Sequence, residues 1–213
     1  MIENILSIFE QNQLIVLEII AAMLTTWCVI LAAKNKILNW PVSMIASVFY
    51  FLLFYKNHFF SDAYLQIAFL IFQTYGWWYW SSLNPSKKEK EITHIPPKFA
   101  IKLFVLTTIV YVLWLFFYKK INPTARIPEI DALTTVISLA ALYMQVKHWV
   151  ESWIVWIVVD LIYIPMYLYG NQKITAVLYL LLAAIAIKGY FDWKRIFSNQ
   201  IKKEGKKPSS YKI

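Results

Sequence analysis

The sequence predicts an all-α integral membrane protein of seven transmembrane helices, built as two parallel three-helix repeats joined by a central linker helix, a 3+1+3 arrangement. Three observations predict it. Sixty per cent of the 213 residues are apolar and only 15% are charged, where a soluble domain carries about 25% charged residues. Seven apolar or aromatic runs are long enough to cross about 30 Å of hydrocarbon. Residues 14–80 also lie over 127–193 at a constant offset of 113 with no gap, which sets Trp40 on Trp153, Tyr50 on Tyr163, Gly76 on Gly189 and Trp80 on Trp193. Eight of the 67 aligned pairs are identical, so the landmarks carry the weight: an acid opens each unit (Glu18, Asp131), a lysine closes the first helix of each (Lys34, Lys147), and two of the four glycines pair. Two similar bundles meeting at a shared site can rock against each other.

The first repeat, 1–84, contains expected spans near 13–33, 40–56 and 62–84. Met1-Ile-Glu-Asn lacks the basic region of a cleavable signal, so the first span stays as a helix. A second segment, 85–126, supplies a hydrophilic loop from Pro85 to Pro97, the linker helix near 99–118 and a further loop. The second repeat, 127–195, holds spans near 132–147, 152–170 and 174–191, and 196–213 is a basic tail, expected to be disordered from about 201. Helices 1 and 5 are separated by four crossings, so the repeats point the same way through the bilayer. Sixteen of the 21 Lys and Arg residues fall on one side if the N-terminus is outside, among them Lys34, Lys87, Lys147, Lys188, Lys194 and Lys203. Only Lys56, Lys119, Lys120, Arg126 and Lys173 fall on the other. The predicted orientation is N-out, C-in. The net charge of +9 thus marks topology and contact with anionic lipid; the basic residues do not stripe one face as a nucleic-acid site requires.

The sixth span carries the most chemistry. Trp153, Trp156, Asp160, Tyr163 and Tyr167 fall within an arc of about 80° on one helix face. An acid near mid-span costs at least about 2.5–3.5 kcal/mol unless it is paired, protonated or facing water. Such a face can stack a flat ring on indole and balance a positive charge with Asp160. It can equally be aromatic packing between helices. The matching positions of the first unit are Trp40, Ser43, Ser47, Tyr50 and Phe54, the same outline with weaker polarity. On the third helix of each unit Gln66 overlays Tyr179, and both are candidates to hydrogen-bond a ligand. Gln73, Thr25, Thr26 and Gln145 are further polar candidates, whereas Glu18, Asp62 and Asp131 read as rim or capping residues. The candidate binding residues are therefore Trp153, Trp156, Asp160, Tyr163, Gln66, Tyr179, Trp40 and Tyr50.

Other chemistries lack their residues. No glycine-rich phosphate loop exists, and the three histidines (His58, His94, His148) never take metal-ligand spacing. Cys28 is the sole cysteine. No catalytic residue, metal or cofactor is expected, and Asp160 alone does not make a proton relay. Passive movement of a ligand is the simplest mechanism, with a non-transporting membrane subunit as the rival of another class.

Trp153-x-x-Trp156-x-x-x-Asp160 resembles the Trp-x-x-Trp-x-x-x-Asn/Asp signature of the PnuC-type vitamin transporters. Asn39-Trp40-Pro41, Ser61-Asp62-Ala63-Tyr64-Leu65-Gln66, Tyr75-Gly76-Trp77, Val150-Glu151-Ser152-Trp153 and Thr175-Ala176-Val177-Leu178-Tyr179 are similar to that family's recurrent segments, in order, across about 14–195. The resemblance implies a SWEET-like fold, a homotrimer and a bacterial plasma (inner) membrane location. It also implies facilitated diffusion of nicotinamide riboside, with thiamine as the alternative vitamin, trapped by a cytoplasmic kinase. It carries ligand contacts onto Trp153, Trp156, Asp160 and Gln66. Riboside carriers typically have Asn where this chain has Asp160.

Overall fold

A computed structural model describes residues 2–56, 60–82, 91–121, 123, 127–169 and 173–204. Its seven helices are α1 (Ile2–Ala33), α2 (Asn39–Lys56), α3 (Phe60–Ser81), α4 (Pro97–Ile121), α5 (Pro128–Val146), α6 (Ser152–Tyr169) and α7 (Lys173–Glu204). The loop residues 85–90, His58, Arg126 and the tail beyond Glu204 lie outside the described residues. Within the first unit α2 packs on α1 and α3; within the second α6 packs on α5 and α7. The units meet along two equivalent seams, α1 on α7 and α3 on α5, while α4 leans on α5 from outside.

Five helical stretches are long and apolar enough to span a bilayer: Leu14–Ala33, Pro97–Ile121, Pro128–Val146, Ser152–Tyr169 and Lys173–Lys202. Helices α2 and α3 place Ser43, Ser47, Gln66 and Gln73 at the cavity in the centre of the bundle. α4 shows the opposite pattern. Only Tyr118 is buried, and Phe104 and Phe116 stand 74% and 60% exposed, as a helix facing lipid would.

The duplication reaches the backbone hydrogen bonds. At the end of α1, Lys34 N donates to Ile30 O at 3.1 Å, Asn35 N to Ala32 O at 2.9 Å and Lys36 N to Leu31 O at 2.9 Å. At the end of α5, Lys147 N, His148 N and Trp149 N donate to Tyr143, Gln145 and Met144 O at 3.1, 3.0 and 3.1 Å, the same three bonds displaced by 113. Both helices close with a residue of positive φ, 54° at Asn35 and 60° at His148. Asn and His tolerate that left-handed cap better than most non-glycine residues. Since both first helices end alike at the same end of the bundle, the repeats are parallel.

Tryptophans then tie the units together crosswise. Trp80 at the end of α3 donates its indole N–H to Val146 O of α5 at 3.1 Å, and Trp193 of α7 donates to Ala32 O of α1 at 3.0 Å. Each binds a carbonyl in the last turn of the other unit's first helix, where intrahelical donors run out; Ala32 O also accepts the capping Asn35 N–H. The same two rings meet Trp40 and Trp153 edge to face, at 5.2 Å and 5.5 Å between centroids.

The expected boundaries shift in two places. α1 begins at Ile2, ahead of 13, and α7 runs to Glu204, so the anticipated break at 195/196 falls inside a helix. No Gly or Pro interrupts 190–204, and the polar residues there have adequate helix propensity.

Gly76 and Gly189 are held by contact. A Cβ at Gly76 would stand 2.6 Å from the Trp40 ring, and one at Gly189 would stand 2.9 Å from the Trp153 ring. Gly76→Ala and Gly189→Ala should each lower the thermal midpoint in detergent, Gly76→Ala more. Overpacking of about 1–3 kcal/mol exceeds the gain in helix propensity of about 1 kcal/mol. An unchanged or raised midpoint would contradict the seating of these rings.

Candidate functional site

A cavity opens between the two repeats. All five stripe residues of α6 line it, and so do the five α2 residues at the matching positions, Trp40, Ser43, Ser47, Tyr50 and Phe54. From α3 come Asp62, Gln66, Phe69 and Gln73, and from α7 Tyr179, Leu182 and Ala186. Thr25, Cys28 and Ala32 of α1 face Ser138, Leu142 and Gln145 of α5. The structure thus brings all eight expected binding residues, Trp153, Trp156, Asp160, Tyr163, Gln66, Tyr179, Trp40 and Tyr50, to one space.

Their surroundings differ. Trp40 and Trp153 are each 1% exposed, with one ring face against a glycine and an edge contact to a second tryptophan. They form wall. Trp156 is half-buried; its indole N–H donates to Gln145 Oε1 at 2.7 Å and Phe69 meets it edge-on at 6.5 Å. Its ring is oriented from both sides and remains partly open. Tyr163, Tyr167 and Tyr179 form a cluster with centroids 4.5–5.5 Å apart.

The polarity is asymmetric. Ser47 occupies in the first unit the position of Asp160 in the second. Gln73 Nε2 donates to Ser47 Oγ at 3.0 Å, so these two buried groups satisfy each other. The counterpart of Gln73 on α7 is Ala186, which lines the cavity and offers no hydrogen bond. Asp160 is 4% exposed and makes no side-chain hydrogen bond or ion pair among the described residues. A carboxyl so placed needs a partner from within the cavity.

Some lining residues escaped the sequence reading. Ser138 is the repeat counterpart of Thr25, and the offset alone would have found it. Asn39 was marked only as part of the Asn39-Trp40-Pro41 segment, and Phe69 carried no signal that set it apart. Asp62, read as a rim residue, is buried in the first turn of α3 and lines the cavity together with Tyr167. Asp131 accepts from the Tyr118 hydroxyl at 2.5 Å, and Glu18 from Thr175 at 2.7 Å. Thr175 is the counterpart of Asp62, so equivalent seams carry different chemistry. Of the described histidines, His94 pairs with Glu151 at 2.6 Å and His148 stacks on Trp80 at 3.8 Å, both outside the cavity.

A duplicated seven-helix membrane bundle with a polar and aromatic cavity between its repeats defines a transporter of the 3+1+3 class. The comparisons place it more closely. A family profile described as nicotinamide mononucleotide transporter matches residues 15–195. The chain belongs to that family. It is 22% identical to the nicotinamide riboside transporter PnuC of Escherichia coli (strain K12), over 92% of this chain and 90% of that one. It is 22% identical to the riboflavin/roseoflavin transporter RibM of Streptomyces davaonensis, over 76% of this chain and 77% of that protein. A crystal structure of the vitamin B3 transporter PnuC superposes with a TM-score of 0.70 at 19% identity, covering 93% of this chain and 88% of that one, and shares the fold.

The Ser47–Gln73 pair gives a direct test of buried polarity. Gln73→Leu should destabilise the protein by about 1–3 kcal/mol by stranding the Ser47 hydroxyl, and adding Ser47→Ala should recover most of that loss. Thermal unfolding of the single and double variants measures both. Absence of recovery would mean that Gln73 acts through another contact.

Proposed function

We propose that the chain imports a flat-ringed cationic vitamin, nicotinamide riboside before thiamine, by facilitated diffusion with alternating access. The observation that carries this reading is Asp160, a buried carboxyl without a hydrogen-bond or ion-pair partner among the described residues, beside the partly open ring of Trp156. A pyridinium ring stacked on indole and facing a carboxylate answers both features, because cation–aromatic attraction grows as water leaves. Gln66, Tyr179 and Tyr50 are then placed to meet the polar groups of the sugar, while Tyr163, Trp40 and Trp153 shape the walls.

The lining also bears on which form of cargo enters. Its charged members are Asp62 and Asp160, and no Lys, Arg or His appears among the described lining residues. A phosphate monoester would meet two carboxyls and no cation. The unphosphorylated riboside therefore fits better than the mononucleotide, and phosphorylation by a cytoplasmic kinase would trap the product inside. Thiamine is the second reading, favoured by the carboxylate at 160, since a thiazolium is also a flat cation. A neutral flavin leaves Asp160 unanswered.

Orientation follows the lysines: Lys34, Lys147, Lys188 and Lys194 cluster at the end where α1 and α5 finish, which we assign to the cytoplasm. A multi-pass protein of the bacterial plasma (inner) membrane, N-out and C-in, is the resulting picture. A homotrimer would use the lipid-facing surface that α4 and its neighbours leave open.

Uptake of radiolabelled nicotinamide riboside and thiamine into proteoliposomes, with no ion gradient, tests the reading. Saturable entry of one vitamin that stops at equal concentrations is the expected result. Asp160→Asn should weaken apparent affinity for the cation at least about 30-fold, as loss of one partner of a desolvated charge pair does. Asp160→Ala should abolish saturable entry in a folded protein. Unaltered uptake by both variants would remove Asp160 from the site, and vitamin that binds without crossing would favour a non-transporting subunit.

A further inference from the structure

The segment ahead of α4 belongs to neither repeat and forms no helix, yet Ile92 within it is 1% exposed. It belongs to one buried apolar cluster with Ala32 and Ala33 of α1, Val150 and Trp153, and Ala186 and Trp193 of α7. Of these, Ala32, Trp153 and Ala186 also line the cavity. One apolar side chain from the linker therefore joins a cluster that closes the end of the cavity where α1 and α5 finish and that draws on both units.

The backbone on either side of that plug is fastened to the second unit. Thr93 N donates to His148 O at 2.9 Å and Val150 N donates to Thr93 O at 3.0 Å. Glu151 accepts from Ile95 N at 3.0 Å and pairs with His94 Nδ1 at 2.6 Å. Residues 92–95 meet the first unit in another way, through the apolar cluster that Ile92 shares with two alanines of α1. Hydrogen bonds resist separation through their geometry, whereas a smooth aliphatic contact parts and reforms with little directional penalty.

We infer that residues 92–95 form a strap that travels with the second repeat, and that Ile92 is the gate residue at the cytoplasmic end of the cavity, opening along the plane between Ile92 and Ala32–Ala33. The inference rests on the alternating-access reading and the orientation above, but not on which vitamin is carried. It assigns the linker a part in the transport cycle besides restoring the direction of the second repeat.

The test uses a cysteine reporter. In a Cys28→Ser background, Ser43→Cys places a thiol in the cavity wall near this end, and a membrane-impermeant maleimide is applied to proteoliposomes from either face. Ile92→Ala should raise the labelling rate from the cytoplasmic face about tenfold by weakening the closed state. Glu151→Ala, a surface change that loosens the strap, should raise it in the same sense by a smaller factor. Thermal unfolding establishes that each variant is folded. If both label at the parent rate, or faster only from the outer face, the gate assignment is overturned. A strap that merely anchors α4 would show a lowered thermal midpoint with labelling unchanged. Because labelling needs no vitamin, failure of uptake and failure of the gate are separate results.

Discussion

Two symmetry-related indole N–H groups tie the halves of this molecule to one another, one across each seam. Trp80 and Trp193 each reach out of one unit to a last-turn carbonyl of the other, at 3.1 Å and 3.0 Å. The arrangement depends on the repeat itself. Each third helix ends opposite the first helix of the other unit, so one residue type at one repeat position serves both seams. It depends also on Gly76 and Gly189, which let Trp40 and Trp153 lie close enough to meet those same rings. A side chain at either glycine would push a wall of the cavity and disturb a seam together.

Upon this near-symmetric frame the site is asymmetric. In the first unit a serine and a glutamine cancel each other's polarity. In the second, the same two positions hold Asp160 and Ala186, so polarity is concentrated and left unanswered by the protein. Duplication supplies two equivalent faces to one cavity, and divergence at two positions places a carboxyl on one of them only. Under the proposed reading, binding energy from a cation would act on the second unit more than the first, which suits a mechanism in which one bundle moves relative to the other.

Much of this was legible in the residues. Helix count and the α6 face followed from hydropathy and the spacing of Trp153, Trp156, Asp160, Tyr163 and Tyr167, because helical periodicity and membrane thickness are local constraints. Three things were not legible. The burial of Asp62 depends on how α3 meets α5 and α6, which no local pattern encodes. The distinction between Trp153 as wall and Trp156 as partly open ring depends on where a glycine of another helix lies. Ile92 looked like any loop residue, since its burial is created by two units that meet far from it in sequence. The length of α7 was underestimated because hydropathy reports where the bilayer ends and not where the helix does.

A carrier must open at either end for a modest cost, and the bonds at the two ends are few and of suitable strength. Where α1 and α5 finish, the seams hold through two neutral indole–carbonyl bonds, each contributing about 0.5–1.5 kcal/mol net, and through Lys147, whose ammonium donates to the Tyr75 hydroxyl at 2.9 Å and lies 4.2 Å from the Tyr79 ring centroid. At the other end Thr175 donates to Glu18 and Tyr118 to Asp131, bonds of the acid-accepting kind that are stronger one by one, at about 1.5–3 kcal/mol when the acid is ionised. Only the first of these crosses the α1–α7 seam; the second joins α4 to α5 and moves with the second unit. The seams carry these few polar bonds, whereas inside each unit a tryptophan ring is seated directly on a glycine. Under the proposed alternating-access reading, parting along the seams would leave each bundle intact, and a ligand worth a few kcal/mol would be enough to bias which end parts.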